Sequence, residues 1–159
     1  MRNTITAAAV GACILTLAQT APAVAADEVL TARKCTVAIR NRISGGKRTC
    51  EQLTLRRDVP NGRLEILITF PDGFRLAVAG PFLEMDPLTT LVTPDRVVWA
   101  NPGQTNPEVA TNTPERPVVK GRCLIKDFHR TDMIGAVVCE LGSPMGRIDI
   151  EFETPRPPK

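Results

Sequence analysis

One histidine and no tyrosine occur among the 159 residues, which removes the usual material of metal centres and proton-transfer sites. The lone imidazole, His129, lies in Asp127-Phe128-His129-Arg130-Thr131-Asp132, a polar stretch that reads as an exposed turn. Only two serines are present, Ser44 and Ser143, and neither sits in a G-x-S-x-G elbow. No C-x-x-C occurs, so a thiol redox site has no motif to rest on. Gly45-Gly46 is too short for a phosphate-cradling loop and reads as a hairpin turn. With one Trp and five Phe, stacking platforms for nucleic acid are scarce. No catalytic residue, metal or cofactor is therefore assigned. The one catalytic alternative is a small secreted hydrolase using His129 with the neighbouring acids.

What is present begins with a targeting signal. Arg2 supplies a short positive region, Ala7 to Leu17 an apolar run, and Ala23-Val24-Ala25 an A-x-A cleavage site. Residues 1–25 thus read as a signal peptide, cut after Ala25 or Ala26. The run is interrupted by Gln19, Thr20 and Pro22, short of the roughly 20 apolar residues that a membrane span needs. No later stretch is longer, so no membrane span is expected. Removing the signal deletes Cys13 and leaves Cys35, Cys50, Cys123 and Cys139. An even count in an exported chain reads as disulfides. Of the three connectivities, Cys35–Cys50 with Cys123–Cys139 is favoured, because each pair closes a short loop. Arg outnumbers Lys fifteen to five, a bias of GC-rich bacterial genomes, so the expected location is periplasmic or secreted.

The fold class is all-β, a small antiparallel sandwich or barrel occupying residues 27–153 as a single domain. From Arg63 to Phe70 apolar and polar residues alternate, Pro71-Asp72-Gly73 intervenes, and Phe74, Leu76 and Val78 alternate again. That is a hairpin with a mechanism: Pro presets φ, Asp caps the turn, and Gly takes the left-handed position. Cys35 to Ile39, Cys50 to Leu55, Leu88 to Val92, Val97 to Ala100, Val118 to Ile125 and Ile148 to Phe152 follow the same grammar. Breakers every 8–12 residues suit a sandwich or barrel. Residues 132–141 fit either a short helix or a strand, with Gly135 and paired valines favouring strand. Asn101 to Arg116 holds three prolines and no periodicity and reads as a long loop, either mobile or used for binding. Residues 154–159 read as an extended Pro-rich tail.

Two stretches echo each other. Pro60-Asn61-Gly62-Arg63-Leu64-Glu65-Ile66 and Pro144-Met145-Gly146-Arg147-Ile148-Asp149-Ile150 share P-x-G-R-[LI]-[ED]-I, and each follows a cysteine pair of nearly equal spacing. The pattern suggests two pseudo-repeated, disulfide-stapled hairpin units. Charge is polarised as well. Asp27 to Arg63 carries nine cations against four acids, whereas Leu64 to the end carries ten against thirteen. The leading functional reading is a non-enzymatic binding or structural accessory protein of the bacterial envelope. Its partner would be an unknown protein or an anionic envelope component, with nucleic acid excluded. The candidate partner-binding residues are Arg40, Arg42, Lys47 and Arg48 of the basic first hairpin, with Trp99 beside the long loop. A third reading is a soluble subunit of an envelope or secretion assembly, pairing with another chain through Leu67, Ala77 and Ala79.

Overall fold

Period-2 alternation over most of the chain leaves one face of each segment apolar, and such segments bury that face only by pairing side by side. The structure, a computed structural model, describes residues 27–40, 45–58, 61–127 and 134–155. Among them are twelve strands and no helix. They are β1 (Glu28–Thr31), β2 (Lys34–Arg40), β3 (Gly45–Thr49), β4 (Gln52–Asp58), β5 (Arg63–Thr69), β6 (Arg75–Asp86), β7 (Thr89–Val92), β8 (Arg96–Ala100), β9 (Glu108–Thr111), β10 (Lys120–Asp127), β11 (Ile134–Ser143) and β12 (Gly146–Glu153). Every pairing is antiparallel, in the order β1-β4-β5-β6-β7-β10-β11-β12-β2-β3, with β8 between β6 and β9. The result is a curled antiparallel sheet, a half-barrel.

Two features curl it. The first is β6, which pairs β5 and β8 through residues 75–81 and then β7 through residues 82–86. At the changeover Gly80 packs against the Thr93 carbonyl so closely that a Cβ would collide with it. Pro81, a poor residue for a strand interior, is tolerated there. It accepts from the Thr93 N–H at 3.0 Å, and its missing N–H falls where β6 exchanges partners. The second feature is the ribbon of β1–β2 against β3–β4. Thr31 pairs Gln52 but Thr36 pairs Thr49, an offset absorbed around Ala32-Arg33 and Cys50-Glu51. Because β3 runs on into β4, the path of paired strands returns to its own beginning.

Inside the curl lies one core. Val37, Leu53, Leu55, Leu64, Ile66, Ile68, Leu76 and Val78 meet Val92, Ile125, Val137, Ile148, Ile150 and Phe152, all essentially inaccessible. Each such side chain contributes about 1.5–3 kcal/mol of transfer free energy. Both expected disulfides are present, Cys35–Cys50 and Cys123–Cys139, and all four cysteines are buried in the core cluster. The two echoed stretches differ in layout: β10 and β11, bridged by Cys123–Cys139, lead through one turn straight to β12, whereas β4 intervenes between Cys50 and the turn before β5. Gly62 (φ 60°) and Gly146 (φ 119°) take the positive-φ position in the two turns.

Where the sequence left alternatives, packing decides. Residues 134–143 are strand β11, held by β10 on one side and β12 on the other. The stretch from Asn101 to Arg116 is not one uninterrupted loop. Glu108–Thr111 forms β9 against β8, and Thr113 bridges Arg116. Ala110 faces the core there and is buried, which gives a four-residue strand its reason to form. The tail is docked at its start. Thr154 is buried, its hydroxyl donating to the Ile134 carbonyl at 2.7 Å.

Candidate functional site

On the outer face of β11, β12, β2 and β3, alternation leaves polar side chains standing in register. Arg147 lies opposite Arg40, Asp149 opposite Ala38, and Glu151 opposite Thr36. Lys47 lies opposite Ala38 from the other side, and Glu140 and Val138 stand on β11 opposite Asp149 and Glu151. Ala38 is the small residue at the centre of this array. Long side chains around a short one make a groove of about 300 Å³, lined by Arg40, Lys47, Arg147, Glu140, Asp149 and Glu151, with Ala38 and Val138 beneath.

The charges in the groove are unevenly matched. Asp149 accepts from Arg147 Nε at 2.9 Å and holds that guanidinium above its ordinary pKa. Arg40 reaches the same carboxylate only at 3.9 Å, with its side chain 69% exposed. Glu151 is held by Lys34 at 3.2 Å. Lys47 has no ion pair among the described residues. A second hollow of about 410 Å³ is lined by Arg33, Lys126, Asp127, Gly135, Ala136, Glu153 and Thr154. Its Arg33 and Glu153 are joined at 2.5 Å.

Beside the groove runs an apolar row. Leu83 on β6 lies opposite Leu91 on β7, Leu91 opposite Leu124 on β10, and Leu124 opposite Val138 on β11. All four are on the solvent face, Leu83 at 64% exposure and Val138 at 39%. Val138 belongs to both features, so the row leads into the groove. Scattered exposed aliphatics are ordinary on protein surfaces, whereas these four line up on four adjacent strands.

The structure separates the sequence-predicted residues. Arg40 and Lys47 meet in the groove. Arg48 points to the other face, ion-paired to Asp72 and stacked over the Phe74 ring at 4.6 Å, so it clamps β3 to the turn between β5 and β6. Trp99 faces inward on β8, half-buried against the core and opposite Leu76 and Glu108. Arg42, and His129 with Asp132, lie outside the described residues. Leu67 and Ala77 stand on the outer face of the other half of the sheet, opposite each other. Ser143 is a turn capper, donating to the Gly146 carbonyl and accepting from the Met145 N–H.

Among the described residues no group of three or more His, Cys, Asp or Glu is placed to hold a metal, and no helix is long and apolar enough to cross a membrane. The contribution of β11 and β12 to the groove was not visible in the sequence, apart from Arg147 and Asp149 within the P-x-G-R-[LI]-[ED] echo. The chain matches no family model, and no curated protein or solved structure matches it.

Proposed function

We propose that the chain is an exported binding protein of the bacterial envelope, acting without chemistry of its own. Its contact surface is the apolar row Leu83–Leu91–Leu124–Val138 together with the adjoining groove of Arg40, Lys47 and Arg147. The observation that carries this reading is the row itself. Four aliphatic side chains in one register on a solvent face, ending at a groove whose Lys47 has no ion pair among the described residues, suit a protein partner presenting apolar side chains beside a carboxylate. Export is supported by the Ala23-Val24-Ala25 cleavage site and by the two disulfides, which persist in oxidising compartments.

The test is site-specific photo-crosslinking in cells of the source type. A photoreactive residue at position 138 is expected to yield a defined heteromeric product, and one at Arg75 on the opposite face is expected to yield none. Leu91→Asp or Lys47→Glu should remove the product while leaving the thermal midpoint within a few degrees. Equal yields from both positions, or none from position 138, would refute the proposed surface. The mass of the mature chain tests export separately: it should begin at Ala26 or Asp27.

A further inference from the structure

Four asparagines lie among the described residues: Asn61, Asn101, Asn106 and Asn112. The side-chain amide of an asparagine can be attacked by the backbone nitrogen of the next residue, one source of its thermal lability. Three of the four are protected. Asn101 and Asn106 precede Pro102 and Pro107, whose ring nitrogens carry no hydrogen to give up. Asn112 is half-buried and clamped at both ends: Nδ2 donates to the Val119 carbonyl at 2.7 Å, and Oδ1 accepts from the Val119 N–H at 2.6 Å. Asp72-Gly73, the Asp-Gly pair of the chain, is held as firmly. Asp72 accepts from the Phe74 N–H at 3.0 Å and from Arg48, and the Gly73 N–H donates to the Phe70 carbonyl at 2.9 Å.

Asn61 has neither a following proline nor a two-ended clamp. It is exposed in the turn between β4 and β5 and is followed by Gly62, which has φ 60° and nothing within 4 Å of where a Cβ would stand. Without a Cβ, a glycine nitrogen is the least hindered nucleophile the backbone offers. Among the described residues the Asn61 side chain has one partner, Asp58, with Nδ2 donating to Oδ2 at 2.7 Å. That bond leaves Oδ1 without a partner there and sets a carboxylate beside the nitrogen that would depart. The echoed turn supplies a contrast within the chain: Met145 precedes Gly146, and its side chain has no amide.

We propose that Asn61-Gly62 is a self-modifying site, at which the folded chain converts Asn61 to aspartate and isoaspartate. The Gly62 nitrogen bonds to Asn61 Cγ and gives up its proton, the Cγ–Nδ2 bond breaks, and the nitrogen leaves with that proton as ammonia. The cyclic imide then takes up one water at either of its carbonyls. One opening gives aspartate; the other gives isoaspartate, whose main chain runs through Cβ and Cγ. Either product sets a new carboxylate against Asp58, while Arg63 is already shared with Asp95 through bonds of 2.9 and 2.5 Å. The isoaspartyl form also lengthens the turn. That strains the end of the β4–β5 ladder at Asp58↔Arg63 and the bond from the Phe82 N–H to the Gly62 carbonyl, 3.2 Å, where β6 leaves β5. The reaction needs no partner and is independent of the contact surface proposed above.

The experiment ages the mature, disulfide-intact chain for days in neutral buffer, then digests it with trypsin, which cuts after Arg57 and Arg63 and releases residues 58–63 as one peptide. That peptide should show the mass gain of amide-to-acid conversion and resolve into two products of equal mass, with ammonia released in step. The peptides holding Asn112 and Asp72 should be unchanged. Asn61→Gln, aged in parallel, should remain unmodified and keep its thermal midpoint, whereas the aged wild type should melt several degrees lower than the fresh protein. An Asn61 that stays intact in the folded chain while the reduced, unfolded chain converts would overturn the proposal. So would equal conversion at Asn112, or a fall in midpoint shared by Asn61→Gln.

Discussion

Gly121 adopts φ 127°, and a Cβ there would run into the Glu140 carbonyl on the neighbouring strand. Both the backbone angle and the contact require glycine. Gly121→Ala is therefore expected to cost about 2–4 kcal/mol, seen as a lower denaturant midpoint with little change in slope. Arg48 makes the opposite kind of contribution, by what it touches. Its guanidinium is ion-paired to Asp72 and lies over Phe74 at 4.6 Å, with Phe70 at 6.0 Å. It is partly exposed, so screening keeps the ion pair modest, and stacking adds about 0.5–1 kcal/mol. Arg48→Ala should cost about 1 kcal/mol in chemical denaturation. Arg48→Met, which keeps much of the stem packing but loses the charge, should recover only part of it. The residue was singled out in the sequence as a cation available to a partner. Sequence shows the charge, but not that the Pro71-Asp72-Gly73 turn folds back to meet it.

At the scale of elements, β1 is tied to pH through the ion pair at its start. Hydrogen bonds from the Arg56 guanidinium hold the Asp27 carboxyl below its ordinary 3.8. A depressed carboxylate stabilises the fold above its unfolded pKa and loses that contribution as pH falls through its folded value. Acid below about pH 4 should therefore loosen the start of β1 before the neighbouring β4 and β5. Hydrogen exchange of β1 amides, corrected for intrinsic rates, should accelerate there, and Asp27→Asn should produce the same acceleration at neutral pH. The elements also show what alternation can and cannot reveal. The hairpin of β5 and β6 was legible because its turn chemistry is local: Gly73 has φ 84°, and the Asp72 carboxylate accepts from the Phe74 N–H at 3.0 Å. β9 was not legible, because Glu-Val-Ala-Thr after a proline has little strand character. It forms because Ala110 fits against Val97. The extension of β6 through Gly80-Pro81 was hidden for a related reason, since two breakers marked a change of partner within the strand. The groove was half legible. Arg40 and Lys47 stood out as a basic hairpin, but their neighbours Glu140, Arg147 and Asp149 come from roughly a hundred residues further along the chain. They arrive only because β12 pairs with β2.

For the whole molecule, one continuous core spanning both halves of the curled sheet implies one cooperative transition. Ile66→Ala in one half and Ile150→Ala in the other, both at fully buried sites, should each lower stability by about 2–5 kcal/mol. Far-ultraviolet dichroism and Trp99 fluorescence should report the same shifted midpoint in both variants. Separate midpoints would mean that the halves melt independently. The disulfides act on the same balance from the unfolded side. Each closes a short loop, with sequence separations of 15 and 16, and each is worth about 3 kcal/mol in the chain-entropy account.

The pairing of β12 with β2 also fixes an order of events in biosynthesis. Cys35 and Cys50 can join soon after residue 50 has emerged, but the strand that covers the other side of β2 is made roughly a hundred residues later. Until then a nascent or truncated chain carries open ladders on both β2 and β11, the kind of surface that recruits holding chaperones or seeds aggregates. A chain cut short before Gly146 would therefore be recognisable to the cell as unfinished.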